Sequence, residues 1–270
     1  MGRFYIPIVK SQKYLPDLSP IREIGDSALY YAFYNVGSPT LTTVNFPNLI
    51  VISGLSGCHY AFANNNSITS VSFPKLTTLS GNNAMTNCFY NCSSLSSVSF
   101  PLLSTLSGEY SMSYCFYNCF SLTSVSFPKL TTISGGYSLY YCFSDCSSLI
   151  NLSFPELITI SAQRALSNMC QNCSSLTSVS FPKLSSINSA MILWEAFYNC
   201  SSLSSLSFPA LKSTSFGNNS RQFRDMLRGV TGCTVHFPSN LQSVIGSWED
   251  VVNGFNGTNT VVSFDLPSTS

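Results

Sequence analysis

The chain has 270 residues, of which 9% are charged, and a formal net charge of +1; an ordinary soluble domain carries roughly 25% charged residues. No broad field of either sign would draw in nucleic acid or an anionic membrane, and the longest aliphatic run, Leu49 to Ile52, is too short to span a bilayer. Serine fills 51 positions, so the surface is polar and almost uncharged.

Residues 1–13 hold no apolar core or small-residue cleavage site of a secretory leader; they read as an N-terminal cap. From 14 to 237 the sequence repeats. Phe46, Phe73, Phe100, Phe127, Phe154, Phe181 and Phe208 each precede a proline and lie 27 residues apart. A register held this long marks a stacked array. Degenerate copies flank it at Leu15-Pro16, Phe237-Pro238 and Phe264.

Within a unit, Val125 and Phe127 alternate with Ser124 and Ser126, the pattern of a strand that buries one face. Pro128 ends the strand because it cannot donate to the ladder. In the other half, Met112, Cys115, Phe116 and Cys119 fall at i, i+3, i+4 and i+7, which predicts a short helix. Asn64, Asn91, Asn118, Asn172 and Asn199 occupy its expected end, where left-handed geometry is needed. Strands repeat at about 4.8 Å and helices pack at about 8–10 Å, so the stack should curve with its strands inside. Beyond 237, Leu241, Val244, Ile245, Trp248, Val251 and Val252 predict an amphipathic helix, and NGTNTVVSFDLP a last strand. Residues 238–270 therefore read as a C-terminal cap, which an exposed solenoid end needs.

The unit LTSVSFPKLTTISGGYSLYYCFSDCSSL at 122–149 resembles the leucine-rich repeat of the BspA-like (Treponema pallidum) class, as do IREIGDSALYYAFYN at 21–35 and EAFYNCSSLSSLSFPALKS from 195. The chain departs from that pattern in placing Phe before Pro and in lengthening each unit. The resemblance implies an α/β repeat fold: a right-handed, curved leucine-rich-repeat solenoid, with a parallel sheet on the concave face, short helices on the convex side and both ends capped. It also implies surface display and binding to a host or matrix. The tail resembles those that close repeat proteins of gut bacteria and their phages, and the absence of a legible leader shifts weight towards a phage tail or fibre.

Ten of the eleven cysteines lie in the predicted helical half. Four thiols from two adjacent helices could hold zinc, but the column Cys88, Cys115, Cys142 decays to Met169 and Ala196 and no histidine joins it. Packing as small hydrophobes explains every column, so no metal or cofactor is expected. The two histidines, His59 and His236, and the scattered carboxylates form no acid–base pair; no enzyme is expected. Lys75, Lys129 and Lys183 are too sparse for a nucleic-acid track.

Two sets of outward positions are candidate binding surfaces. On the strands, Ser97, Ser99, Ser124, Ser126, Ser178 and Ser180 form a monotonous hydroxyl lattice that could suit a repetitive glycan. On the predicted helices, Tyr60, Tyr110, Tyr114, Tyr117, Tyr137, Tyr140, Tyr141, Trp194 and Tyr198 offer aromatic area, the vocabulary of interfaces. The alternative is that these rings cover neighbouring helices and keep only their hydroxyls wet. Two function classes follow. One is a recognition or adhesion protein that binds a protein or glycan on a cell surface; the other is a structural spacer that assembles into a homo-oligomer.

Overall fold

The alternating pattern becomes strands of three residues, and a second short strand follows the first six of them. The computed structural model describes residues 15–212 and 221–268, so the segment read as an N-terminal cap lies outside the described residues. Thr43–Asn45 (β2), Ser70–Ser72 (β4), Ser97–Ser99 (β6), Ser124–Ser126 (β8), Asn151–Ser153 (β10), Ser178–Ser180 (β12) and Ser205–Ser207 (β14) each bury a central Val or Leu and turn their flanks outward. With Thr234–Pro238 (β15) and Val261–Leu266 (β16) they form a nine-stranded parallel sheet. Its register is one repeat per step: Ser70 faces Ser97, Val71 faces Val98 and Ser72 faces Ser99.

The second sheet has seven strands of two residues: Glu23–Ile24 (β1), Val51–Ile52 (β3), Thr78–Leu79 (β5), Thr105–Leu106 (β7), Thr132–Ile133 (β9), Thr159–Ile160 (β11) and Ser186–Ile187 (β13). Each buries its Ile or Leu. A two-residue strand contains a single in–out step, so no alternation could announce it in the sequence. Only pairing with the coil before and after defines it.

The third side corrects the fold expectation. No short helix forms at 112–119 or its equivalents; among the described residues α-helix is confined to α1 (Gln242–Ile245) and α2 (Glu249–Val252). The expected helices are runs of turns in which backbone N–H groups alternate between two destinations. Cys58, Tyr60 and Phe62 donate to the carbonyls of Ala84, Thr86 and Cys88 in the next coil at 2.7, 3.1 and 2.9 Å, while Ala61 and Ala63 donate back to Cys58 and Tyr60 at 3.0 and 3.3 Å. Every fourth residue has positive φ, as at Tyr110, Tyr114 and Asn118 (54°, 53° and 59°).

A period of four over two turns puts the same residues inward as the helical 3.6 would, which is why the pattern reads as a helix. All three sides are thus hydrogen-bonded from coil to coil. The spacing mismatch from which curvature and a concave strand face were inferred does not arise. At Gly54, Gly81 and Gly108 adjacent coils approach so closely that a Cβ on Gly108 would fall on the Gly81 carbonyl.

Inside, one continuous apolar cluster runs from Leu18 to Phe255. Two columns of phenylalanine run through it. Rings from Phe46 to Phe237 stack at 5.2–5.5 Å between centroids, and Phe33, Phe62, Phe89, Phe116 and Phe143 stack behind the turns at 5.2–5.7 Å. The columns meet edge to face, as at Phe73–Phe89, 6.3 Å and 67°, a favoured arrangement of ring quadrupoles.

In the tail the single helix expected over 241–252 is split, because Trp248 is extended (ψ 140°). Leu241, Ile245 and Val251 are buried, but Val252 is 72% exposed and does not belong to the apolar stripe. The last strand forms where the sequence placed it: Val235 of β15 faces Val262 of β16.

Candidate tyrosine and serine faces

The turn side carries three columns of positive-φ residues, four apart within each coil. The third column is Asn35, Asn64, Asn91, Asn118, Asp145, Asn172 and Asn199, so the left-handed geometry expected of these asparagines is present without the helix it was to cap. Neighbouring amides join in a ladder: Asn91 Nδ2 donates to Asn64 Oδ1 at 3.0 Å and Asn199 Nδ2 to Asn172 Oδ1 at 3.2 Å. The first two columns carry tyrosine in the same backbone conformation, at Tyr31, Tyr60, Tyr110, Tyr114, Tyr137 and Tyr141 (φ 52–54°). A bulky side chain there costs roughly 1–2 kcal/mol that Gly or Asn largely avoids.

The tyrosines meet across coils. Tyr110 stacks on Tyr137 at 4.7 Å, Tyr114 on Tyr141 at 5.0 Å and Tyr90 on Tyr117 at 5.1 Å. Tyr140 stands edge-on to Tyr137, Tyr141 and Tyr114. Of the sequence candidates, Tyr110, Tyr114, Tyr117, Tyr137, Tyr140 and Tyr141 therefore form one cluster. Tyr60 joins it through Tyr90. Trp194 joins through Arg164, whose guanidinium lies 4.4 Å from the indole and 5.9 Å from the Tyr137 ring. Tyr198 touches none of these tyrosines in a ring pair and instead lies 5.7 Å from the Arg228 guanidinium.

All nine candidates are half-buried. The stacked tyrosine rings cover one another in part, and Trp194 buries its indole N–H. Burial, and secondarily the crowding of phenols, raises Tyr114 well above the ordinary phenol range; burial and the Asp145 carboxylate raise Tyr117 to about 12. These hydroxyls are therefore neutral donors at physiological pH. Sequence reasoning missed Tyr30, Tyr31 and Tyr34, which extend the network through Tyr31–Tyr60 at 4.7 Å. Their unit is 29 residues long (Phe33 to Phe62), so they fall out of a strict 27-residue column. Aligning on "AFYN" and "AFAN" would have found them.

The serine face lies on the nine-stranded sheet. Ser97, Ser99, Ser124, Ser126, Ser178 and Ser180 are exposed, in register along the array. The lattice has a notch: a shallow depression of 270 Å³ lined by Ser99, Pro101, Ser124, Ser126, Pro128 and Asn151, with Val98 and Phe100 at its floor. At the β15–β16 end of the sheet, away from the notch, His236 Nδ1 meets the Asp265 carboxylate at 3.0 Å, and the hydrogen bond from His236 holds that carboxyl below its usual range.

The cysteines are all buried, and five do more than pack. Sγ of Cys92, Cys119, Cys146, Cys173 and Cys200 points at a carbonyl of the preceding coil at 3.3, 3.3, 3.1, 3.1 and 2.9 Å. Asn65 heads this column and donates to the Phe33 carbonyl at 2.7 Å. Cysteine suits the position because it is small, apolar and still a weak donor. Burial pushes the Cys92 thiol up to about 12, far from the thiolate that a metal ligand or nucleophile requires. Among the described residues no three His, Cys, Asp or Glu side chains are grouped to hold a metal ion, and no helix is long and apolar enough to cross a membrane.

The chain is similar to several solved leucine-rich repeat proteins. A T. pallidum leucine-rich repeat protein is 19% identical over 81% of this chain and 86% of its own, with a TM-score of 0.48. A leucine-rich repeat protein from Bacteroides ovatus is 19% identical over 92% and 82%, TM-score 0.34. A leucine-rich cell surface protein from Faecalibacterium prausnitzii is 17% identical over 82% and 87%, TM-score 0.29. No curated protein matches the chain. The family model for the BspA type leucine rich repeat region matches in six copies across residues 19–138, 58–191 and 142–247, and the chain belongs to that family.

Proposed function

We propose that this chain is a non-enzymatic recognition protein of a bacterial surface or phage particle, which binds a protein or glycan on a cell surface through its tyrosine side. The observation that carries this reading is tyrosine at six left-handed backbone positions. The asparagine column shows that the fold accepts Asn in the same conformation, so packing does not demand the ring. Residues held in a costly conformation cluster at functional sites, and tyrosine supplies contact area at low entropic cost.

The test replaces Tyr114 and Tyr141 with Asn, which tolerates positive φ, and measures binding to host or bacterial cells. Binding should fall at least tenfold with unchanged circular dichroism. Parallel replacement of Ser97, Ser99, Ser124 and Ser126 by Ala should leave it within twofold. The opposite pattern moves the site to the serine face and favours an extended glycan in the notch beside Pro101 and Pro128.

A second reading, a self-assembling spacer or virion component, is favoured by the end of the nine-stranded sheet. There β16 is the terminal strand and Val261 is 56% exposed, an edge that can accept another chain. Sedimentation of the wild type against Val261→Lys separates this reading from the first.

A further inference from the structure

The tyrosine stacks differ from ordinary surface aromatics in one respect: they are parallel pairs with both members pinned. Tyr114 and Tyr141 lie 5.0 Å apart with planes 5° from parallel, Tyr110 and Tyr137 4.7 Å and 14°, and Tyr90 and Tyr117 5.1 Å and 3°. The backbone holds the coils together beneath them, with Tyr114 N–H bonded to the Tyr140 carbonyl at 2.8 Å and Asn91 N–H to the Tyr117 carbonyl at 2.7 Å. Two phenols so held need no encounter step, the situation in which intramolecular reactions gain most. Tyr140 provides an internal contrast, since it touches Tyr114 at 5.6 Å but at 90°.

The geometry points to a modification site: exposed to a one-electron oxidant of the peroxidase–peroxide class, the stacked pairs couple into dityrosine and staple neighbouring coils covalently. Each phenol gives one electron to the oxidant and its hydroxyl proton to water, leaving a phenoxyl radical. The ortho carbons of the two rings form the new C–C bond. The hydrogen on each of those carbons then moves to the oxygen, restoring both aromatic rings. The protein loses two electrons and two protons, and hydrogen peroxide takes up the same number to become two waters. The rings are only half-buried, so a small oxidant or a radical mediator reaches them. The fold loses nothing by the link, because it joins residues that already touch.

The experiment oxidises the full chain at low concentration with peroxidase and hydrogen peroxide, then digests it with trypsin, which cuts after Lys75, Lys129 and Arg164. The wild type should show dityrosine fluorescence while remaining monomeric. Peptide 76–129 should be joined to peptide 130–164 at a mass below their sum by two hydrogens for each dityrosine formed. Tyr137→Phe with Tyr141→Phe keeps both rings stacked but leaves edge-on Tyr140 as the sole phenol in 130–164, and the joined pair should fall at least tenfold. Tyr198→Phe, whose ring lies against Arg228 and forms no ring pair with another described tyrosine, should leave the yield unchanged. An undiminished joined pair in the double variant, or links found only between molecules and rising with concentration, would overturn the proposal.

Discussion

The serine side and the tyrosine side share one 27-residue pitch, yet they treat side chains differently. On the serine side the backbone is extended, side chains alternate strictly, and Ser97, Val98 and Ser99 have no freedom beyond in or out. On the tyrosine side half the amides bond to the next coil and every fourth residue is left-handed. The outward columns there vary among Tyr, Asn, Arg and Glu while the backbone path holds. A repeat protein can therefore diversify one side without touching its inter-coil hydrogen bonds.

The sharpest way to break this comparison is alkaline pH, because ten of the eleven thiols lie behind the turns and only Cys233 enters the strand side. In the unfolded chain a thiol ionises near ~8.5. Burial holds Cys92 up to about 12, and Cys115, Cys119, Cys142 and Cys146 well above the ordinary value. Between those limits the unfolded chain binds fewer protons than the folded one, so stability falls as pH rises. Their contribution is fully present below about pH 8.5 and is lost through the folded values, each thiol adding up to about 1.4 kcal/mol per pH unit. Urea midpoints should be level from pH 6 to 8 and drop steeply by pH 10, with amides of 108–119 exchanging before those of 124–126. A flat profile would mean that the thiols are not sealed inside.

Single core deletions come next. Phe127, behind the serines, and Phe116, behind the tyrosines, are both fully buried and stacked on both faces. Replacing either with Ala should cost about 3–5 kcal/mol in chemical denaturation. Near-equality makes the turn side as firmly packed as the sheets; a much smaller loss at Phe116 would make it a loose covering.

The smallest effects separate the two backbones directly. Asn91→Ala forfeits the left-handed allowance and the bond to Asn64 and should cost about 1–2 kcal/mol, with Asn91→Gly recovering most of the backbone share. Ser126→Ala on an exposed strand position should stay within about 0.5 kcal/mol. Thermal melts of the three variants decide whether positive φ, rather than exposure, sets the tolerance of a position.

Much of this was legible in the residues. The phenylalanine spacing specified a stack and its inward column, the serine flanks specified a strand, and cysteine at inward spacing specified packing. The aromatic candidates from Tyr110 to Tyr141 were legible as outward positions, and the structure gathers them. The residues themselves could not say that the turn segment is not a helix. Helix and four-residue turn spiral bury the same positions over so short a run, and they differ in where alternate N–H groups go, into the same coil or the next. That destination depends on a neighbour 26 residues away, as does the existence of the two-residue strands. The local code determined which residues face inward and where each coil ends. Only the stacking of one coil on another decided the hydrogen-bond partners, the parallel tyrosine pairs and the thiol-to-carbonyl contacts, because each of these joins groups that one repeat alone never brings together.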